Sequence, residues 1–218
     1  MLSFAEENYL KAIFHLSDSG SHDVSTNAIS DVLKTKPASV SDMIRKLADK
    51  GVVSYQKYQG VNVSDKGRKA ALQIIRKHRL WEVFLVDKLQ FNWDEVHEIA
   101  EQLEHIKSPL LIKKLDAFLD FPRIDPHGDP IPDEEGNITI GEKIPLSEVK
   151  AGAMVIVTGV DNSNSGFLKH LDKLKISLGT KISIMEKNEF DGSMQIKVSN
   201  MGEIFISHLV AQNLLVTE

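Results

Sequence analysis

Two imidazoles and two carboxylates recur at short intervals in WDEVHEIAEQLEHIKSP, residues 93–109. His97, Glu101, Glu104 and His105 stand at i, i+4, i+7 and i+8, which on an α-helix is an arc of about 100°. Val96, Ile99, Ala100, Leu103 and Ile106 take the opposite side and supply a core face. Nitrogen and oxygen donors on one stripe suit a divalent metal. The same pattern also fits a solvated polar face. The earlier segment RKHRLWEVFLVDKL adds His78 and Glu82 at i, i+4. Glu98 has no His three positions after it, so the HExxH helix of zinc proteases is absent.

The elements that would position these donors follow from the rest of the chain. Its 218 residues allow one large or two small domains. A composition 42% hydrophobic and 26% charged is that of a soluble globular protein. There is no cysteine, hence no disulfide, thiolate nucleophile or zinc finger. With no signal-like leader and no apolar run of membrane-spanning length, a cytoplasmic, non-membrane protein is expected. The net charge of −5 conceals a basic block: residues 34–79 hold 12 Lys or Arg against three acids. A basic region on an acidic chain suggests a polyanion bound by that region alone.

The block overlaps a recognisable order of elements. FAEENYLKAIFHL, residues 4–16, has apolar spacing for a helix with Glu6 and Glu7 in its first turn. Ser25 or Thr26 can cap a short second helix, NAISDVLKT. Pro37 opens a third, ASVSDMIRKLADKG, with Gly51 just past its end. Two short helices, a break, and a helix starting with small polar residues form a helix-turn-helix pattern. Two β-rich runs around Gly60 then read as a hairpin, or wing. Ser64 caps a long helix from Asp65 to about Leu89. DNA contacts are expected from Thr26, Lys36, Pro37, Ala38, Ser39, Ser41, Asp42, Arg45 and Lys46, and from Lys57 and Tyr58 on the wing.

The segments ENYLKAIFHL, PASVSDMIRKLADKGVVSYQKYQGVNVSDKGRK, HRLWEVFL and HEIAEQLEH, in this order, resemble the diphtheria toxin repressor and manganese transport regulator family. These are metal-dependent transcriptional repressors. The resemblance implies a mainly α chain with a small β part: a winged helix-turn-helix over residues 1–70, a helical metal-binding and dimerisation domain over 71–140, and an SH3-like β-barrel over 148–218. It implies a primary metal site from Asn8, Glu101, Glu104 and His105. Asn8 departs from the Met or Asp of relatives and brings no charge. A neighbouring site is implied from His78, Glu82 and His97. Glu101 falls where iron-responsive relatives carry Cys and manganese-responsive ones Glu. Sulfur-free ligands therefore favour Mn²⁺ over Fe²⁺.

Residues 108–121 read as another amphipathic helix, which the family reading makes part of a homodimer interface. Pro, Gly and acids over residues 122–147 read as a linker. It contains Asp125 and His127, which relatives with a PHG segment use with the Glu82 equivalent at an auxiliary site. Asp161 stands where some relatives reach back to that site. Five short strands and one helix, GFLKHLDKL, complete the barrel. The mechanism expected is a repressor homodimer whose heads move freely while unscreened acids repel, and which reads a palindromic operator once metal clamps them. A metal-binding hydrolase with a dinuclear carboxylate and His site is the alternative. A third reading is a DNA-binding protein needing no metal.

Overall fold

The computed structural model describes residues 2–56, 60–139, 141–199 and 201–217. The chain divides into two compact units. The first holds Met1–His78, Glu101–Lys114 and Pro132–Ile138; the second holds Arg79–Ala100, Leu115–Ile131 and Thr139–Glu218.

In the first unit, α1 (Phe4–Leu16) opens with a capping box: Ser3 Oγ accepts from the Glu6 N–H, and Glu6 Oε2 accepts from the Ser3 N–H at 2.7 Å. Ser25 is the N-cap of α2 (Thr26–Val32), its hydroxyl accepting from the Ala28 N–H. Pro37 starts α3 (Pro37–Asp49), and Gly51, at φ +67°, follows its end. Leu10, Ile13, Ile29, Val40, Ile44 and Leu47 close one core between these helices. The wing pairs β1 (Val53–Gln56) with β2 (Gly60–Val63), antiparallel, and Val24 bridges Val61. Lys57 and Tyr58 lie outside the described residues. The long helix α4 (Asp65–Leu89) begins on the Ser64 hydroxyl, which accepts from the Gly67 N–H. A Cβ at Gly67 would stand 1.8 Å from the Val52 carbonyl oxygen, so only glycine lets the helix start against the wing.

One expectation is corrected here. The metal stripe is not carried by a continuous helix over residues 93–109: α5 spans only His97–Leu103. The next helix, α6 (Pro109–Phe118), opens on Pro109, and the Ser108 hydroxyl accepts from the Leu111 N–H. The residue before a proline is held out of the helical region, so the chain cannot run helically into Pro109. It turns instead, with the Leu103 carbonyl accepting from the Ile106 N–H at 3.1 Å. Glu104 and His105 sit in this turn. On α6, Leu115 is buried while Leu110, Leu111 and Phe118 are exposed.

The second unit carries an antiparallel sheet in the order β3-β8-β4-β5-β6-β7. Its strands are β3 (Ile144–Pro145), β4 (Met154–Val160), β5 (Lys181–Lys187), β6 (Met194–Val198), β7 (Gly202–Ile206) and β8 (Leu214–Thr217). Bulges at Val157/Gly159 and Ile184/Glu186 bend it around a core of Val155, Val157, Ile182, Ile196 and Val216, beneath α7 (Ser165–Lys173). This is the expected SH3-like domain, with two additions. β3 is too short to show a period, and α8 (His208–Asn213), capped by Ser207, is under two turns.

Residues 122–147 are not the free spacer expected of a linker. In the second unit Arg79 donates to the Pro130 carbonyl and to Asp129 Oδ2. In the first, Arg76 donates to the Pro132 carbonyl at 2.6 Å and Gln73 to that of Glu134 at 2.7 Å. Among the described residues, no helix is long and apolar enough to cross a membrane.

Candidate metal centres

The first unit gathers Glu7 and Lys11 from α1, His78 from α4, Glu101 from α5, and Glu104 and His105 from the turn. The Glu104 carboxylate is fully buried. His78 Nδ1 meets its Oε2 at 2.7 Å, and Lys11 Nζ stands 2.8 Å from both of its oxygens. Burial pushes the Glu104 carboxyl up, but the His78 hydrogen bond and the Lys11 charge hold it below the usual carboxylate range. Glu101 is exposed, with Oε1 3.5 Å from the same ammonium. His105 Nδ1 lies 2.6 Å from Glu7 Oε2, and the Phe4 ring leans on the imidazole.

Two buried atoms of this group accept no conventional hydrogen bond: His105 Nε2 and Glu104 Oε1. They face each other at 3.7 Å. An imidazole nitrogen and a carboxylate oxygen, buried and aimed at one point, are the donor set that a divalent cation satisfies. The residues present thus fit a metal. Asn8 is half-buried on α1, one residue beyond Glu7.

The second unit gathers Glu82 from α4, His97 from α5, and Asp125 and His127 from the loop. One donor atom each from Glu82, Asp125 and His127 lies within 4.8 Å of the others, and all three residues are buried. His97 Nδ1 is 3.6 Å from Glu82 Oε1. His127 Nε2 meets the Trp93 carbonyl at 2.9 Å, which turns Nδ1 toward Glu82 Oε2 at 3.7 Å. Burial, Glu82 and Asp129 push the Asp125 carboxyl up to about 6. Burial alone would lower His127, but the Glu82 and Asp125 carboxylates beside it raise it to about 9. A cluster that holds protons so tightly lacks positive charge, which a divalent ion also supplies.

Gly128 explains the loop. At φ +91° its hypothetical Cβ would lie 2.2 Å from the Thr158 carbonyl oxygen, so the PHG segment can pack against β4 only with glycine. Asp125 Oδ1 accepts from the N–H groups of His127 and Asp129 and closes the turn. Asp161 is exposed, its N–H bonded to the Asn213 carbonyl.

The α3 residues expected to contact DNA are mostly on its exposed side. Lys36, Pro37, Ala38, Ser39, Asp42, Arg45 and Lys46 are exposed, opposite buried Val40, Ile44 and Leu47. Ser41 and Thr26 are half-buried. No side chain caps the first turn of α3, leaving its N–H groups for a phosphate. Glu7, Lys11 and Trp93 were not singled out from sequence. The signals available were acids in a first turn and, for Lys11, a position one turn beyond Asn8.

Comparisons with known proteins identify the family. Residues 1–61 match the family described as iron-dependent repressor, N-terminal DNA-binding domain; residues 64–133 match iron-dependent repressor, metal-binding and dimerisation domain; residues 144–218 match the FeoA domain. The iron-dependent repressor IdeR of Mycobacterium tuberculosis is 30% identical over 161 residues, 69% of this chain and 68% of that protein. A probable metal transport system membrane protein of Chlamydia trachomatis is 43% identical over 86 residues, 39% of this chain but 19% of that protein. A solved structure titled as a manganese-dependent transcriptional repressor in complex with manganese superposes with a TM-score of 0.86 at 32% identity, covering 98% of this chain and 99% of that one. The matched domain families, IdeR and the manganese-dependent repressor are regulators, and the hydrolase alternative finds no support among them.

Proposed function

The chain belongs to the iron-dependent repressor family of metal-dependent, DNA-binding transcriptional repressors, and on that footing we propose that it is a manganese-responsive repressor of metal-homeostasis genes, acting in the cytoplasm as a homodimer on a palindromic operator. The observation that carries this reading is the buried meeting of His105 Nε2, which has no hydrogen-bond partner, with the Glu104 carboxylate at 3.7 Å.

The proposed ligands of the first centre are Asn8, Glu101, Glu104 and His105. Those of the second are His78, Glu82 and His97, with Asp125, His127 and Asp161 serving an auxiliary position. A divalent ion bound at the first centre supplies the positive charge that holds oxygen and nitrogen donors from several elements together. The protein's own groups do the rest. Glu7 turns His105 so that Nε2 faces Glu104. The His78 hydrogen bond and the Lys11 charge keep Glu104 ionised against its burial. Asn8 sits on the helix that packs α2 and α3, so a ligand there ties the centre to the DNA-reading helices. Oxygen and imidazole donors without sulfur support Mn²⁺ over softer ions. The exposed Leu110, Leu111 and Phe118 of α6 suit a twofold interface.

The test is a duplex selected from a random pool with Mn²⁺ present, then titrated by fluorescence anisotropy. Affinity should rise with Mn²⁺ and collapse with chelator or in Glu104→Ala. Equal affinity with chelator would overturn the reading.

A further inference from the structure

Lys11 lies three residues beyond Asn8 on α1, so both project from one face of that helix. Its side chain is 14% exposed, and Nζ stands 2.8 Å from Oε1 and Oε2 of Glu104 and 3.5 Å from Oε1 of Glu101. Two of the acids assigned above to the first centre therefore already share a cation that the chain itself provides. Where a divalent site gains most from carboxylates, α1 offers an uncharged amide and a full positive charge.

We propose that Lys11 is a tethered competitor for the first metal centre: the ammonium occupies the Glu101–Glu104 pair, and a divalent ion binds there only by ejecting it. The proposal rests on the reading of Glu101 and Glu104 as ligands. An ammonium within hydrogen-bond reach of the ligand oxygens and a dication on the same oxygens repel strongly in a partly buried site. The exchange sets the metal concentration at which the protein responds. It also replaces the expected metal-free state. Glu101 and Glu104 are not unscreened acids pushing α1 away; the first helix is already held to the turn after α5 by an ion pair. Metal binding exchanges one cation for another, and the difference in affinity is smaller than for a centre of free carboxylates.

The experiment is a Mn²⁺ titration of the full chain by electron paramagnetic resonance. Lys11→Met keeps the apolar stem and removes the charge; it should bind Mn²⁺ at the first centre at least about tenfold tighter than the parent. Lys11→Arg keeps the charge and should stay within about threefold. Glu104→Gln in the Lys11→Met background should abolish the gain. Unchanged or weaker binding in Lys11→Met, with Glu104→Gln still weakening it, overturns the competitor and leaves the metal centre standing. No effect of Glu104→Gln in either background overturns both. A second measurement needs no variant: acetylation of Lys11, followed by mass spectrometry, should rise about threefold or more when Mn²⁺ frees the amine into solvent. Reactivity that stays level or falls overturns the proposal.

Discussion

His105 Nδ1 stands 2.6 Å from Glu7 Oε2, a contact that joins residues 98 positions apart. A metal ligated by Nε2 requires the ring proton on Nδ1, where the Glu7 carboxylate accepts it. Glu7 is thus a positioning residue. Its removal leaves every proposed ligand in place and should still weaken Mn²⁺ binding by ~10–100-fold, the usual effect of losing such a partner. Isothermal titration of Glu7→Ala checks this. Parental affinity would mean that the packing of Phe4 alone orients the ring.

The second centre depends on the backbone at Gly128. Alanine there must adopt a left-handed conformation and place Cβ against the Thr158 carbonyl oxygen. The loop carrying Asp125 and His127 would shift away from Glu82. Gly128→Ala should lower the urea midpoint by the equivalent of ~1–3 kcal/mol and remove one equivalent of bound Mn²⁺. His127→Ala should remove the same equivalent with a smaller loss of stability. Two bound equivalents retained in both variants would show that these residues hold no ion.

Much of this chemistry was legible because it is local. Glu101, Glu104 and His105 lie within five residues of one another, and the cap at Ser25, the proline start of α3 and Gly51 are single-residue signals. The end of α5 at Leu103 was not, because the stripe pattern continues through the turn that holds Glu104 and His105. Lys11 could not be placed from sequence, since its partner Glu104 is 93 positions away. The basic block was only partly what it suggested. Arg76 and Arg79 serve backbone carbonyls, Lys50 pairs with Glu6, and Arg68 lies over Phe14. A charge count does not distinguish guanidiniums that face phosphate from those that satisfy a loop, and the Pro, Gly and acid content by which residues 122–147 read as a linker carries no sign of Arg76 and Arg79 bonding its carbonyls.

The residues left for DNA are therefore fewer and more testable. Arg45 and Lys46 are exposed on α3, Arg45 pairing, among the described residues, with equally exposed Asp42. Such a pair contributes little to stability and gives way readily to a phosphate. Replacing either by alanine should weaken operator binding and reduce the slope of log affinity against log salt by about one, with metal binding unaltered. A salt slope identical to the parent's in both variants would place the phosphate contacts elsewhere.

The last prediction concerns how α1 is held to α3. Lys50 Nζ donates to both oxygens of Glu6 at 2.7 Å, and this bond, with the capping contact to Ser3, holds the Glu6 carboxyl below its ordinary value. A depressed carboxylate stabilises the fold above the pKa it has when unfolded, near 4.5, and that contribution disappears as pH falls through the lower, folded value. Lys50 is 41% exposed, so the screened pair is worth only ~0.5–1 kcal/mol. Glu6→Gln keeps an acceptor for the Ser3 N–H and removes the ion pair alone. With chelator present, the parent should unfold in urea with that advantage over Glu6→Gln at pH 7, and the advantage should vanish well below pH ~4.5. A difference that persisted in acid would assign the stabilisation to the helix cap rather than to the charge.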